Sequence, residues 1–157
     1  MNICYIPIGC AGSGKTTYLD KLRRNSKDLI AHISSDRIRF DMLDYDSTKM
    51  TFNPDIESEV WRRYYSNLEW HCEMRHNVYC DSTNILASLR KKICEIVLSY
   101  NYSIHFIWFR LPLNEILLRN KTRDRQVEDF VIEKQFGIAE PLTYQEEKAY
   151  KITIINK

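Results

Sequence analysis

One nine-residue stretch near the start of the chain, Gly9–Thr17, constrains the fold more than any other segment. It reads GCAGSGKTT, follows the apolar run Ile3–Ile8, and holds three of the four glycines in the sequence. It contains the full pattern G-x-x-x-x-G-K-[ST] between a predicted strand and a helix predicted from Lys15 to about Asn25. Backbone N–H groups can converge on phosphate oxygens only where no Cβ blocks the approach. The stretch therefore predicts a phosphate-binding loop.

The polar residues of this loop predict how it would hold a nucleotide. The helix after the loop directs the positive end of its dipole at the phosphates, Lys15 reaches the β- and γ-phosphates, and the Thr16 hydroxyl ligates Mg²⁺. The predicted nucleotide-binding residues are Gly9, Cys10, Ala11, Gly12, Ser13, Gly14, Lys15, Thr16 and Thr17. A dinucleotide-binding fingerprint is rejected, because it needs a glycine where Thr17 stands and has no use for Lys15.

Other motifs narrow the class of nucleotide-binding protein. A Ras-like GTPase carries D-x-x-G, and no glycine here has an aspartate three positions before it. Asn120–Arg123, NKTR, lacks the aspartate of the guanine-reading pattern N-K-x-D. Motor and AAA-type ATPases are generally longer than this chain. A small nucleotide-dependent kinase remains.

Short apolar segments alternate with helical segments along the chain. The predicted strands are Ile3–Ile8, Leu29–Ser34, Asn77–Cys80, Tyr102–Phe109 and Ile152–Ile155. Strands separated by helices pair in parallel through right-handed crossovers. The pattern predicts an α/β three-layer sandwich with a mainly parallel five-stranded sheet and a helical lid. Ligands of such sheets bind beyond the carboxyl ends of the strands, so the segment after each strand is a candidate for site residues.

Local signals predict where several helices lie. An apolar stripe with a four-residue period, from Ile56 to Cys72, predicts one long amphipathic helix. Asn84 is a suitable N-cap for the next helix, and Pro112 suits the first turn of another. Gly137 is expected to stop the helix before the last strand.

Length and composition limit the function classes. At 157 residues the chain predicts one compact domain, residues 1–157, and a net charge of +2 gives no overall field that favours nucleic acid or membrane. Five cysteines without a C-x-x-C pair favour a reducing cytoplasm over a disulfide framework. The first apolar run is brief and no run approaches membrane-spanning length, so neither a signal peptide nor a membrane partner is expected.

The segment after the second predicted strand is Ser34–Phe40, SSDRIRF. Asp36 stands where an acceptor hydroxyl would meet the γ-phosphate, and a carboxylate there can act as general base. Arg39 lies one helical turn further on the same face and could hold a phosphate of the acceptor. The alternative is that Asp36 caps a helix and Arg39 is a solvated charge. The spacing alone favours neither interpretation.

The segment after the third strand, Cys80–Asn84, reads CDSTN. Asp81 occupies the Walker-B position, where a carboxylate can orient Mg²⁺ through water or brace Arg39. The alternative is helix capping, for which Ser82, Thr83 and Asn84 are all suited.

The densest basic cluster of the chain lies in Leu118–Arg125, LRNKTRDR. In a kinase of this kind a mobile basic lid, here residues 119–137, closes over the transferring phosphoryl group and can stack on adenine. Solvated helix charge is the alternative, and the position of the cluster in the strand order favours the lid.

Asp44–Thr48, DYDST, resembles the D-x-D-x-T motif of aspartate-based phosphatases. That motif needs an apolar strand before it and a domain of its own. The preceding RIRFDML is interrupted by charge, so a phosphatase is discounted.

Four motifs in order resemble the 5′-kinase domain of phage-type polynucleotide kinase over most of the chain. They are IGCAGSGKTT, SSDRIR, DSTN and LLRNKTR. The first is common to many P-loop kinases, and the combination of the other three is more specific. The resemblance implies ATP as donor, with Lys15 and Thr16 on its phosphates and Mg²⁺. It further implies Arg123 on the γ-phosphate and Arg119 near the nucleotide.

On the acceptor side the resemblance implies Asp36 as general base for a 5′-hydroxyl. It implies Arg39 on the acceptor's backbone phosphate and Asp81 as a supporting carboxylate. The chain departs from the family where Arg37 follows Asp36, because the family often carries two adjacent acids there. It also lacks the 3′-phosphatase domain, so a phosphatase or ligase partner would be separate. A phage-encoded chain would act in the host cytoplasm.

The leading hypothesis is an ATP- and Mg²⁺-dependent kinase of the 5′-hydroxyl of DNA or RNA. A kinase of a small molecule, a nucleoside or a tRNA-linked hydroxyl is the alternative within the same scaffold. A third hypothesis is an ATP-binding regulator without transfer activity, which would bind a partner through the helix that carries Trp61 and Trp70. The sequence leaves open the choice between DNA and RNA, the donor nucleotide and whether the chain forms a homo-oligomer.

Overall fold

The computed structural model describes residues 1–43 and 54–157, so the Asp44–Thr48 motif lies outside the described residues. The strands are β1 (Ile3–Ile8), β2 (Ile30–Ser34), β3 (Asn77–Asp81), β4 (Ser103–Phe109) and β5 (Lys151–Ile155). The helices are α1 (Lys15–Asn25), α2 (Ser35–Leu43), α3 (Pro54–Glu73), α4 (Ala87–Ser99), α5 (Leu113–Lys121), α6 (Asp129–Ile138) and α7 (Tyr144–Ala149).

The five strands form one sheet in the order β2-β3-β1-β4-β5, and every neighbouring pair is parallel. The α/β architecture predicted from the alternating pattern is therefore confirmed. The chain leaves β1 toward one edge of the sheet and later crosses to the other side of β1 to form β4. This change of direction opens a crevice beyond the carboxyl ends of β1 and β3, where ligands of such sheets bind.

Apolar side chains cover both faces of the sheet. The larger cluster packs α3 and α4 on one face and includes Ile6, Tyr64, Leu68, Val97 and Phe106. The smaller cluster packs α1 on the other face and includes Leu19, Tyr79, Ile107 and Phe109. Burial on both faces explains why the strands read as nearly continuous apolar runs rather than as alternating ones.

Two predicted helix boundaries are wrong. Leu86, rather than Asn84, occupies the N-cap position of α4, because the Asn84 amide instead donates to the carbonyls of Pro7, Cys80 and Ser82 at 2.7, 2.9 and 3.2 Å. Gly137 lies inside the last turn of α6, which ends at Ile138.

A buried arginine joins α4 to the segment that leads into β5. Arg90 is fully buried and its guanidinium forms an ion pair with Glu146 of α7 at 2.7 Å. The same group donates to the carbonyls of Asn84, Glu140 and Pro141. Within the described residues, no helix has the length and apolar character needed to cross a membrane.

Candidate active site

The glycine-rich loop lies between β1 and α1 at the centre of the sheet. Gly12 and Gly14 have φ angles of 83° and 98°, in the left-handed region that favours glycine. A Cβ at Gly9 would lie 2.6 Å from the Ser13 Oγ and 3.0 Å from the Phe109 Cβ, so a side chain does not fit there. The loop thus has the backbone shape that phosphate binding requires.

Lys15 begins α1 and turns its ammonium group back into the loop. Its Nζ donates to the carbonyls of Gly9 and Cys10 at 3.0 and 2.9 Å. Burial lowers the pKa of Lys15, the carboxylates of Asp81 and Asp36 oppose that shift, and the charge of Arg123 adds to it. A partly buried ammonium at the start of a helix, beside a glycine-rich turn, is a donor set that fits a nucleotide phosphate.

Neighbouring elements hold the other loop residues in place. The Gly9 amide donates to the Thr83 carbonyl at 2.9 Å, and the Ala11 amide donates to Gln135 Oε1 of α6 at 2.9 Å. The Cys10 side chain is buried against α5 and α6, while Thr17 is exposed in the first turn of α1. Sequence analysis missed Gln135, because nothing in its surroundings marks it as a partner of the loop.

Thr16 and Asp81, the two predicted metal ligands, lie side by side. The Thr16 hydroxyl is 3.2 Å from Asp81 Oδ2, and His32 Nε2 of β2 is 2.8 Å from the same oxygen. No three His, Cys, Asp or Glu side chains among the described residues form a metal site. One hydroxyl and one carboxylate fit Mg²⁺, which usually takes few protein ligands together with phosphates and water. His32 was missed; its only signal is a polar residue in an apolar strand.

Asp36 lies in the first turn of α2 and faces the loop crevice. The Ser34 hydroxyl accepts from the Arg37 amide at 3.2 Å, so Ser34 and not Asp36 caps this helix. The half-exposed carboxylate lies 2.9 Å from Arg39 Nη1 and 3.6 Å from Arg125 Nη1. The end of β2, which precedes Asp36, pairs with Asp81 of β3, and Asp81 contacts Thr16, so Asp36 lies on the same side of the sheet as the glycine-rich loop.

Arg39 is held on two sides and is not a solvated charge. Its Nε and Nη2 donate to both carboxylate oxygens of Glu57 on α3, at 2.6 and 2.8 Å. Its Nη1 donates to Asp36 at 2.9 Å and to the Ser35 hydroxyl at 3.2 Å. Burial alone would lower the pKa of Arg39, but the hydrogen bonds and charges of Glu57 and Asp36 outweigh it and raise the pKa.

Of the two roles predicted for Asp81, the contact with Arg39 is wrong. Asp81 bonds Thr16 and His32 instead, and Glu57 binds the guanidinium. Glu57 was missed because it lies 18 residues away on another helix, beside the apolar stripe rather than in a motif.

The basic cluster divides between the end of α5 and the non-helical segment 122–128. Arg119 forms an ion pair with Glu115. Its guanidinium lies next to Gly14 of the loop, where a Cβ added to the glycine would be 3.7 Å from Arg119 Nη1. Arg123 is exposed and near enough to Lys15 to lower its pKa. The Arg125 guanidinium lies 4.3 Å from the centre of the Phe40 ring of α2. These three arginines border the loop crevice.

Solved structures with this fold include kinases of several kinds. A chain of the Pnkp1/Rnl/Hen1 RNA repair complex is 24% identical, with a TM-score of 0.73, and the match covers 94% of this chain and 46% of that one. A sugar kinase from Janibacter sp. HTCC2649 is 16% identical, with a TM-score of 0.65 and coverages of 99% and 86%. A gluconokinase from Sinorhizobium meliloti 1021 is 12% identical, with a TM-score of 0.62 and coverages of 97% and 82%.

These likenesses show the fold, which is that of P-loop kinases. The chain spans less than half the length of the RNA-repair chain that it matches. No curated protein sequence compared with this chain matches it.

The sequence model of one family, described as an AAA domain, matches residues 5–141. The inference from length that set AAA-type ATPases aside is therefore wrong, because a family described as an AAA domain matches most of this chain. The match covers the glycine-rich loop, the Asp36 and Asp81 segments and the basic cluster. Since it spans well over half of the chain, the protein belongs to this AAA-domain family of P-loop proteins.

Proposed function

We propose that this protein is a kinase that transfers the γ-phosphate of ATP to the 5′-hydroxyl of a polynucleotide. The observation that carries the proposal is the placement of Asp36 beside the phosphate loop: it follows the end of β2, where Ser34 pairs with Asp81, and the Asp81 carboxylate contacts Thr16 next to Lys15. A kinase needs a phosphate anchor and a proton acceptor that face the same hydroxyl. The sequence resemblance and the likeness to a chain of an RNA repair complex support the choice of acceptor.

On the donor side, the loop amides and Lys15 bind the phosphates. Thr16 and Asp81 would hold Mg²⁺, which neutralises charge on the β- and γ-phosphates when bound. Arg123 adds positive charge where negative charge develops on the transferring group, and Arg119 lies beside the loop at the nucleotide.

On the acceptor side, Asp36 accepts the proton of the attacking hydroxyl. Arg39 holds a phosphate of the acceptor. Of the five N–H groups of this guanidinium, Glu57, Asp36 and Ser35 take four, and among the described residues the second N–H of Nη2 remains for a new anion. The fork to Glu57 fixes the direction of that remaining donor, so the acceptor phosphate meets a guanidinium that is already oriented.

Incubation with γ-labelled ATP, Mg²⁺ and 5′-hydroxyl DNA or RNA oligonucleotides tests the proposal. Label is expected at the 5′ end of the oligonucleotide, and an oligonucleotide that already carries a 5′-phosphate serves as the control. Absence of transfer to every oligonucleotide by protein that binds ATP would contradict the proposal.

A small-molecule kinase is the second candidate. It is favoured by the sugar kinase and the gluconokinase, because this chain covers 86% and 82% of their lengths against 46% for the RNA-repair chain. This candidate predicts transfer to a free metabolite and no benefit from a phosphate on the 3′ side of the acceptor. An acceptor screen across oligonucleotides, nucleosides and sugars separates the two candidates.

A further inference from the structure

His32 and Asp81 lie on neighbouring strands and project from the same face of the sheet. His32 of β2 pairs in register with Tyr79 of β3, so Asp81, two positions further along β3, is its diagonal neighbour. The imidazole Nε2 lies 2.8 Å from Asp81 Oδ2, and the two side chains are 20% and 11% exposed. The ring also packs edge-to-face against the Tyr79 ring, with 6.3 Å between the centroids. The contact with Asp81 is therefore partly buried and supported by the sheet.

The histidine is the donor in this contact. An ionised carboxylate carries no proton and only accepts hydrogen bonds, so the proton lies on Nε2 of His32. The Thr16 hydroxyl donates to the same oxygen, Oδ2, at 3.2 Å. Oδ1 of Asp81 has no hydrogen-bond partner within residues 1–43 and 54–157. Two donors thus hold one oxygen of the carboxylate and leave the other available.

The two donors differ in what else they have to do. Thr16 is exposed in the first turn of α1, makes the longer contact, and is itself a predicted Mg²⁺ ligand. His32 belongs to a strand and makes the shorter contact. His32 is therefore the donor that can hold Asp81 whether or not the Thr16 hydroxyl turns to a ligand.

We propose that His32 is a positioning residue for the metal-binding carboxylate of Asp81. By donating to Oδ2 it restricts rotation of the carboxylate, which leaves Oδ1 for Mg²⁺ or for a water molecule bound to it. Residues that hold a metal-binding group in place commonly change metal affinity by about 10- to 100-fold. This inference rests on the nucleotide and Mg²⁺ site of the proposed kinase and adds to it a residue that acts only through Asp81.

A pair of amide variants tests this role by metal binding rather than by phosphate transfer. Glutamine can place an NH₂ group near the position of the histidine Nε2, whereas asparagine is one carbon shorter and does not reach Asp81. Mn²⁺, which prefers the same oxygen ligands as Mg²⁺, is titrated with a non-hydrolysable ATP analogue present, and free Mn²⁺ is measured by electron paramagnetic resonance. His32→Asn should weaken Mn²⁺ binding about tenfold, and His32→Gln should stay within about threefold of wild type.

The same variants in an Asp81→Ala background show whether His32 acts through that carboxylate. There His32→Asn should change Mn²⁺ affinity by less than about twofold, because its target is already removed. Binding of the ATP analogue without metal reports on the fold of the site, and both His32 variants should match wild type. A parallel loss of metal-free nucleotide binding and Mn²⁺ binding would show a general structural effect and overturn the proposal.

His105→Asn is the matched control. His105 is another strand histidine with a side-chain partner, Thr153 at 2.8 Å, and it lies on β4, which β1 separates from β3. This variant should leave Mn²⁺ affinity unchanged.

Equal Mn²⁺ affinities of His32→Asn and His32→Gln would overturn the role of His32 and leave the kinase proposal in place. An equally large effect of His32→Asn in the Asp81→Ala background would do the same. Failure of phosphate transfer by protein that shows the expected Mn²⁺ differences would overturn the kinase proposal alone. Failure of wild type to bind Mn²⁺ with the nucleotide would overturn both.

Discussion

At the scale of single residues, the candidate site consists of charges that are held before any ligand arrives. The Lys15 ammonium lies on two loop carbonyls, and Arg39 lies between Glu57 and Asp36. Each of these contacts restricts the position of a charged group in the candidate site. Such preorganisation is how an enzyme stabilises developing charge without rearranging at the moment of reaction.

Glu57→Gln tests the preorganisation of Arg39. The amide offers one acceptor oxygen and turns an NH₂ group toward the guanidinium, so the fork is lost while the shape is kept. The KM for a 5′-hydroxyl oligonucleotide is expected to rise about tenfold, and the KM for ATP to stay within about twofold. Steady-state kinetics with each substrate varied in turn measure both.

Glu59→Gln is the matched control, since Glu59 lies on the same helix and pairs with Arg62 and Arg63 away from the site. Equal effects of the two variants on the acceptor KM would contradict the role given to Glu57.

Sequence analysis predicted those site residues that lie within one motif or one helical turn of each other. Asp36 and Arg39 are three positions apart, and the helix brings them into contact as the spacing indicated. Glu57 and His32 could not be predicted, because each reaches its partner through the packing of a different element. Asn84 was predicted as a cap from its residue type, and its hydrogen bonds to Pro7 and Cys80 decided otherwise.

At the scale of elements, α4 and α7 depend on one buried ion pair. Arg90→Ala leaves the Glu146 carboxylate without its positively charged partner and removes a donor from three carbonyls. The free energy of unfolding is expected to fall by about 3–5 kcal/mol, as measured by urea denaturation. Arg62→Ala breaks an exposed pair and should cost less than about 1 kcal/mol. Similar losses in the two variants would show that the buried pair does not join these helices.

The contact between β4 and β5 should make stability depend on pH. Burial, with a smaller effect of Lys151, lowers the pKa of His105 from 6.5 to about 4, and its Nε2 lies 2.8 Å from the Thr153 hydroxyl. Because the unfolded chain binds the proton more readily, His105 contributes no penalty above pH 6.5 and destabilises the fold as the pH falls toward 4. We expect a loss of about 1–3 kcal/mol from this group.

His105→Gln keeps a side chain able to bond Thr153 and removes the titration. Chemical denaturation of both proteins between neutral pH and pH 4 isolates the contribution of the histidine, since all other groups are shared. If the free energy of unfolding depended on pH in the same way in wild type and in the variant, the contribution given to His105 would be refuted.

At the scale of the whole molecule, the strand order places the candidate residues near the carboxyl ends of the central strands. Parallel strands bring the segments after β1, β2 and β3 together, and α5 and the segment 122–128 add the arginines from the other side of β1. The fold was predictable because the alternation of strands and helices and the loop motif are local patterns. The acceptor was less predictable, because one scaffold serves kinases of different substrates.

The central claim is that the phosphate loop and the Asp36 carboxylate serve a single transfer reaction. The most direct measurement compares wild type with Asp36→Asn in the transfer of labelled phosphate from ATP to a 5′-hydroxyl oligonucleotide, with ATP affinity measured in parallel. The account predicts that Asp36→Asn lowers the transfer rate by a factor of about 10²–10⁴ and leaves ATP affinity unchanged. Transfer by Asp36→Asn at close to the wild-type rate would contradict it.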